Sequence, residues 1–358
     1  MIVKKDRCLL TVATYTYLPR AFVLIDSFRL NNPDCDFFLL VPDLSHEKIK
    51  SVKFPCPPGV KILGIDDIER PSFHTMKEYF DAYELCSAAK SFLLDHCLFR
   101  EGYEKAIFLD PDIVCYGSFD KIWSAFDQAD LILTPHIFSP MPDDGLSPDD
   151  RDFVNSGFIN GGFWAAKKSE NTKKCIHWMI EKVKYFGFFI PQINLYADQT
   201  WMSCLQWFFP ENTLILRNSG LNVAYWNLHE RKLSQVNGDI FSNRERLVFF
   251  HFSGHDDKNL VQLTNHSLRK YSENNNLILQ KLIEDYHRNL ENKIHNLPQL
   301  IPDLPCSNLP IQKRIVLFEK IHGEKVKFID TMHDNFHFRR LDLIIHKVRK
   351  MLRKITKG

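Results

Sequence analysis

Three features that would define a protein class are missing from this sequence. No apolar run reaches eighteen residues, so no transmembrane helix is predicted, and the first residues do not resemble a signal peptide. The nine cysteines include no CxxC pair, which argues against a disulfide framework and against a zinc site. The segment 16–20, after the first predicted strand, contains no glycine, which disfavours the phosphate loop of a nucleotidyltransferase. We therefore expect a cytoplasmic protein whose cysteines are mostly reduced and buried.

Charge is almost balanced overall but unevenly distributed. The net charge is +2, yet residues 337–358 contain eight basic residues and one acidic residue, which leaves −5 for residues 1–336. Apolar residues recur in that basic segment at helical spacing. A basic amphipathic helix favours contact with an anionic membrane surface, whereas the alternative is a helix packed on the body with its basic face in water. No nucleic-acid partner is predicted, because the body is net acidic and has no recognised nucleic-acid module.

Alternating strand and helix signals predict the fold class. Strands are predicted at 8–15, 37–41, 60–65, 106–109, 131–134, 158–166 and 248–252, and helices at 18–30, 76–98 and 173–186. This order predicts an α/β fold with a mostly parallel central sheet and a ligand site at the carboxyl ends of its strands. Composition divides the chain into a main domain (1–270), a helical and linker extension (271–336) and a basic amphipathic tail (337–358).

The stretch from Ala106 to Val114 carries the strongest chemical signal. An apolar run ends there in Asp110 and Asp112, which are separated by Pro111. Unpaired carboxylates are costly inside a sheet, so we expect them at its edge. There they would suit Mg²⁺ or Mn²⁺, which in turn hold substrate phosphates. The alternative is a turn with solvated aspartates.

Four further segments are ambiguous when each is taken alone. Asn160-Gly161-Gly162 suits close backbone approach to a ligand, or a simple bulge. Asp198-Gln199 could face a ligand, or Asp198 could cap a helix. His251, at the end of an apolar strand, could complete an oxygen-rich metal site or be a core histidine. The segment 220–227 contains aromatic and amide side chains that suit stacking on a sugar, or ordinary core packing.

In order, the chain carries DxD, Asn-Gly-Gly, Asp-Gln and H-x-x-G, and this set resembles the A-type glycosyltransferases, most closely the retaining enzymes of glycosyltransferase family 8. The phrases GLNVAYWNLHERKL and FFHFSGHD resemble a bacterial subgroup that acts in surface-polysaccharide synthesis. The resemblance covers roughly residues 7–270 and implies that this region is a nucleotide-sugar-binding catalytic domain. It departs from the family after H-x-x-G, where a Lys-Pro-Trp sequence is usual and this chain has Lys258-Asn259.

The resemblance also implies roles for individual residues. Asp110, Asp112 and His251 resemble the metal ligands, with Mn²⁺ or Mg²⁺ as cofactor, and Asn160, Asp198 and Gln199 resemble catalytic residues that face the donor sugar. Nucleotide-sugar-binding positions would be Thr11, Ala13, Tyr15, Lys90, Asp110, Gly161, Gly162 and Lys258.

The function implied is metal-dependent transfer of a sugar, with retention, from a nucleotide sugar such as a UDP-sugar. The acceptor would be a glycan or lipid-linked glycan in surface-polysaccharide or lipopolysaccharide synthesis, and the protein would be cytoplasmic and peripheral on the inner face of the membrane. The alternatives are a nucleotidyltransferase that makes nucleotide sugars and a non-catalytic carbohydrate-binding protein.

Overall fold

The computed structural model describes residues 6–256, 262–269, 271 and 276–323. The predicted basic tail 337–358 and Lys258 therefore lie outside the described residues. Among the helices that are described, none has both the length and the apolar character needed to cross a bilayer.

A seven-stranded sheet with the strand order β10-β6-β7-β4-β1-β2-β3 forms the centre of the described structure. Only β7 runs antiparallel to its neighbours in this sheet, and the other neighbouring pairs are parallel. This is the α/β architecture that the sequence predicted. The strands are β1 (Arg7–Val12), β2 (Asp36–Val41), β3 (Val60–Gly64), β4 (Lys105–Leu109), β5 (Ile113–Cys115), β6 (Leu131–Pro135), β7 (Ile159–Lys167), β8 (Phe189–Ile190), β9 (Leu195–Tyr196), β10 (Thr213–Ile215), β11 (Leu233–Val236), β12 (Asp239–Ser242), β13 (Glu245–Arg246) and β14 (Phe249–His251).

Helices cover both faces of this sheet, which is why its strands are apolar almost throughout. Leu10 and Phe108 belong to a core cluster with residues of α4 and α7, whereas Leu9 and Ile107 pack with residues of α1 and α5 on the other face. The helices are α1 (Leu18–Asn31), α2 (His46–Ser51), α3 (Pro71–Met76), α4 (Ala82–Asp95), α5 (Asp120–Ala125), α6 (Asp150–Ser156), α7 (Glu170–Phe186), α8 (Gln199–Phe208), α9 (Leu277–His295) and α10 (Ile311–His322).

The helix predicted at 76–98 is wrong as a single element. The chain forms α3, then a turn, then α4, and a π-helical segment follows at His96–Arg100. Asp81 starts α4 because its side chain accepts a hydrogen bond from the Glu84 amide, while Glu84 accepts one from the Asp81 amide. This reciprocal cap satisfies backbone donors of a new helix start, and the sequence analysis overlooked it.

The strand predicted at 248–252 does not join the central sheet. Its core, β14, pairs antiparallel with the short β5 in a separate two-stranded ribbon. Within that ribbon His251 is opposite Ile113, the residue after Asp112. The ribbon therefore brings the histidine beside the aspartates that follow β4.

The extension after residue 276 packs on the main body through its two helices. Leu279 and Leu282 of α9 share a core cluster with Val23 and Phe250. Arg314 of α10 is buried and donates hydrogen bonds to the carboxylate of Glu84 and, over 3.3 Å, to the carbonyl of Tyr79. Glu84 is itself fully buried, and burial raises its pKa while Arg314 opposes that shift.

We expect Arg314→Leu to lower the free energy of unfolding by roughly 3–5 kcal/mol, because it leaves the buried Glu84 carboxylate without its cation. Urea unfolding measures this loss. Lys313→Leu, at an exposed position of the same helix, is the matched control. Adding Glu84→Gln to Arg314→Leu should recover part of the loss. Equal losses in the Arg314 and Lys313 variants would contradict this role for the ion pair.

Candidate active site

A cavity of about 400 Å³ opens where several strands of the central sheet end. Its wall includes residues that follow β1, residues between β4 and β5, the start of β7, the start of α8 and the end of β14. Because β7 runs antiparallel, its first residues lie at the same edge as the carboxyl ends of its neighbours. The predicted site residues that line this cavity are Ala13, Lys90, Asp110, Asp112, Asn160, Gly161, Gly162, Asp198, Gln199 and His251.

Asp110, Asp112 and His251 form a group whose potential ligand atoms all lie within 4.8 Å of one another. His251 Nε2 is 3.0 Å from Asp112 Oδ1. Burial alone would raise the pKa of Asp112, but His251 more than offsets this and the pKa is lowered. Burial alone would lower the pKa of His251, but Asp112 more than offsets that and the pKa is raised. The aspartates are thus held next to an imidazole and are not the solvated turn of the alternative interpretation.

The donor set of this group fits a divalent cation. Two carboxylates and one imidazole nitrogen are ligand types that Mn²⁺ accepts readily and Mg²⁺ accepts in part. His251 is almost fully buried, and its Nδ1 atom has no hydrogen-bond partner among the described residues. The Nε2 atom, which faces Asp112, is the nitrogen placed to join the two carboxylates as a ligand.

Lys90, on α4, connects the metal-binding candidates to the rest of the cavity. Its Nζ atom lies 3.0 Å from Asp110 Oδ1 and 3.3 Å from Asp198 Oδ2, and it donates over 2.9 Å to the carbonyl of Gly161. Burial would lower the pKa of Lys90, but the two carboxylates outweigh it and the pKa is raised. Lys90 thus makes a hydrogen bond with the Gly161 carbonyl and ion pairs with both carboxylates.

Asp198 begins α8 but does not cap it with its side chain. Its carboxylate contacts Lys90 instead and is 3% exposed as a residue. Burial raises the pKa of Asp198 to about 6, although the charge of Lys90 opposes the shift. Asp198 thus occupies the N-cap position of the capping alternative but does not make the side-chain hydrogen bond of a cap.

The Asn-Gly-Gly segment requires glycine at position 162, whereas position 161 has room for a methyl group. A Cβ atom on Gly162 would lie 2.5 Å from Cε1 of His251, whereas one on Gly161 would be 3.4 Å from the nearest carboxylate oxygen of Asp198. Asn160 Oδ1 accepts a hydrogen bond of 3.0 Å from the Gly162 amide. Gln199 Oε1 accepts one of 3.3 Å from the Gly161 amide. These two hydrogen bonds fix the first residues of β7 against the side chains of Asn160 and Gln199.

His136 is a residue that the sequence analysis missed. It follows β6 and is 5% exposed, and burial lowers its pKa to about 4. Its Nε2 atom is 3.0 Å from Nδ2 of Asn160. Because Asn160 Oδ1 already accepts from Gly162, Nδ2 is the donor and His136 Nε2 is the acceptor. Its place directly after an apolar strand, like that of Asp110, is the signal that could have revealed it.

Two predicted nucleotide-binding residues lie away from the cavity. Thr11 is fully buried within β1, and Tyr15 packs in a core cluster while its hydroxyl donates to the carbonyl of Pro298. The family resemblance grouped them with Ala13, but β1 ends at Val12 and a 3₁₀ helix begins at Tyr15, and of the three only Ala13 lines the cavity. The chain instead contributes Val12, Ala13, Thr14 and Tyr17 to the wall.

The aromatic residues of the segment 220–227 support the cavity from behind. Trp226 is buried, and its ring packs against the rings of His136 and His251 at centroid distances of 5.4 and 5.2 Å. Tyr225 packs against Trp226 at 5.0 Å. Neither residue lines the cavity, so the core-packing alternative describes both better than sugar stacking does.

Comparison with known proteins assigns the family. Residues 8–184 match the family model described as "Glycosyl transferase family 8". The chain is a family 8-like glycosyltransferase, and the mixed α/β architecture is the A-type glycosyltransferase fold that the ordered motifs implied.

Individual relatives are distant. The "Uncharacterized protein YfnD" of Bacillus subtilis (strain 168) is 23% identical over 251 residues, which cover 68% of this chain and 76% of that protein. The galactosyltransferase LgtC, solved with donor and acceptor sugar analogues, is 12% identical with a TM-score of 0.48 over 86% of this chain and 98% of LgtC. Mouse xyloside xylosyltransferase 1, in its apo form, is 14% identical with a TM-score of 0.37 over 62% of this chain and 89% of that chain.

We expect Gly162→Ala to weaken binding of Mn²⁺ strongly, because its new methyl group would overlap the His251 ring. Gly161→Ala, whose methyl group would make an ordinary contact with Asp198, is the matched control. Electron paramagnetic resonance of free Mn²⁺ measures both affinities, and circular dichroism checks the folds. Equal affinities in the two variants would contradict the requirement for close approach at Gly162.

We expect His136→Leu to lower turnover of the sugar donor by about 100-fold, since misplacing Asn160 by about 1 Å can cost that much. His136→Gln should retain more turnover, because a glutamine oxygen can still accept the hydrogen bond from Asn160. Nucleotide release at saturating donor measures turnover, and thermal unfolding separates loss of fold from loss of positioning. No difference between Leu and Gln at this position would count against the hydrogen bond.

Proposed function

We propose that this chain is a divalent-metal-dependent glycosyltransferase that moves a sugar from a UDP-sugar, with retention of anomeric configuration, to a glycan or lipid-linked glycan. The observation that carries the proposal is one cavity that contains both the Asp110–Asp112–His251 group and the Lys90–Asp198 pair. The first is suited to holding a diphosphate through Mn²⁺ or Mg²⁺. The second lies where the sugar of such a donor would extend.

The chemistry divides between these two parts of the cavity. A divalent cation, when bound, supplies positive charge that stabilises a departing nucleoside diphosphate. Asp198, almost excluded from water and paired with Lys90, places its carboxylate to stabilise a sugar that becomes oxocarbenium-like as its bond to the phosphate breaks. Lys90 keeps Asp198 and Asp110 in place through direct contacts with both carboxylates.

Retention, which is common to the family, requires either a protein nucleophile or attack from the face that the phosphate leaves. Asp198 and Gln199 are the two nearby candidates for a protein nucleophile. The Asp198 carboxylate is held in an ion pair with Lys90. Gln199 is a poor nucleophile because its amide is neutral, and both ends of that amide are already hydrogen-bonded to backbone groups. We favour same-face attack. The acceptor oxygen then bonds to the anomeric carbon, and its proton passes to the departing phosphate oxygen.

The place of action is also part of the proposal. We place the protein in the cytoplasm, peripheral on the inner face of the membrane, where a lipid-linked acceptor of surface-polysaccharide or lipopolysaccharide synthesis would be available. The support is the net charge of +7 and the apolar stripe of residues 337–358. Lys258 stays a candidate contact for the β-phosphate on sequence grounds.

The test is a donor screen with UDP-, GDP- and CMP-sugars, following nucleotide release with Mn²⁺ and with EDTA. We expect slow Mn²⁺-dependent hydrolysis of one UDP-sugar. Asp112→Asn should weaken Mn²⁺-dependent UDP binding by at least about 100-fold, since changes merely behind metal ligands cost roughly 10- to 100-fold. Calorimetry with UDP and Mn²⁺ measures that affinity.

Asp127→Asn, an exposed aspartate outside the cavity, is the matched control and should bind UDP normally. A wild-type protein that neither binds UDP with Mn²⁺ nor cleaves any donor would overturn the proposal. Release of pyrophosphate from a nucleoside triphosphate and a sugar phosphate would indicate a nucleotidyltransferase instead.

A further inference from the structure

An aromatic belt crosses the outer side of α7 and α8. The term "aromatic belt" here means Trp178, Tyr185 and Phe186 of α7 together with Trp201 and Phe208 of α8. Its successive ring centroids, from Phe208 through Trp178, Trp201 and Phe186 to Tyr185, are 5.4, 6.3, 5.5 and 6.4 Å apart.

Four residues of the belt are half-buried, and the fifth is exposed. Trp178, Tyr185, Phe186 and Trp201 are half-buried and pack against the central core cluster. Phe208 is 61% exposed, and its neighbour Trp207 is 76% exposed. Single exposed apolar residues are ordinary, but two adjacent large rings beside a continuous aromatic row form a patch of the kind that marks an interaction surface.

Lysines accompany the belt. Lys182 Nζ lies 5.7 Å from the ring centroid of Trp178 and 5.5 Å from that of Trp201, and Lys184 Nζ lies 4.8 Å from that of Tyr185. Tryptophan and tyrosine with nearby lysine are typical of surfaces at the boundary between lipid headgroups and acyl chains. Because Lys184 also lies 3.9 Å from the carboxylate of Glu181, Lys182 is the lysine whose charge favours an anionic occupant over the basic segment 337–358 of the same chain.

The chain also leaves the described structure beside this surface. His322, at the end of α10, packs against Tyr185 with a ring-centroid distance of 5.3 Å. The basic residues of 337–358 follow about fifteen residues after the last described one, Gly323.

We propose that the aromatic belt, with Trp207, is a membrane-contact surface that rests on an anionic bilayer. The inference depends on the proposed function only in its reason for membrane contact, a lipid-linked acceptor. One helix connects the two sites, since α8 begins at Gln199 in the cavity wall and ends at Phe208. Its axial length of about 14 Å would set the reacting sugar that far from the exposed end of the belt.

The test measures binding of the full chain to vesicles of phosphatidylcholine with and without phosphatidylglycerol. We expect tighter binding with the anionic lipid, and a fall of about tenfold in partitioning for Trp207→Ser/Phe208→Ser. Leu30→Ser/Leu277→Ser removes two residues that are 85% and 75% exposed elsewhere and should partition like the wild type. Quenching of tryptophan fluorescence by brominated lipid should fall in Trp207→Phe while binding persists.

Added salt distinguishes the two membrane contacts. Lys347→Gln/Lys350→Gln/Lys354→Gln should lose the salt-sensitive part of binding, whereas the Trp207/Phe208 variant should lose the salt-insensitive part. Unchanged vesicle binding in the Trp207/Phe208 variant would overturn the proposal, as would a wild type that binds no vesicle. A dimer in gel filtration that dissociates in this variant, without a change in vesicle binding, would assign the belt to contact between copies.

Donor hydrolysis without vesicles should be unchanged in Trp207→Ser/Phe208→Ser, which also shows that the variant is folded. A protein that binds vesicles through the belt but cleaves no donor would leave this inference intact and overturn the proposed function. A protein that cleaves a donor but binds no vesicles would leave the proposed function intact and overturn this inference.

Discussion

The buried ammonium of Lys90 is the constraint on which the cavity depends. Two carboxylates, Asp110 and Asp198, would repel each other at one small site, and their burial would be costly without a cation. Lys90 contacts both and also binds the carbonyl of Gly161. It therefore holds α4, β7, α8 and the turn after β4 in a fixed relation. The positive charge of Lys90 thus both offsets the carboxylates that face the cavity and keeps the elements around the cavity together.

A second constraint is the close contact between backbone and imidazole on the opposite wall. Gly162 leaves room for His251, which is held against Asp112, and Trp226 fills the space behind that histidine. The same tryptophan packs against His136, which orients Asn160. Trp226 and His136 do not line the cavity, yet they fix the orientation of His251 and Asn160, which do.

Sequence reasoning was most successful where chemistry coincides with the end of an apolar strand. Asp110, Asp112 and His251 come together because carboxyl-end residues meet at one edge, and His136 satisfied the same rule without being noticed. Reasoning failed where local hydrogen bonds changed the backbone, as at the Asp81–Glu84 cap and in the turn that removes Tyr15 from the cavity. The aromatic belt could not be predicted, because its rings meet only through the packing of α7 on α8.

The ion pair of Glu84 and Arg314 connects the part of the chain that matches the family model to a helix that lies outside that match. The match to the family model ends at residue 184, inside α7, yet Glu84 within that match pairs with an arginine 230 positions further along the chain. Sequence similarity to the Bacillus subtilis relative extends over 251 residues, so the family model covers only part of what relatives share. A chimaera cut at residue 184 would separate the buried Glu84 carboxylate from the arginine that pairs with it.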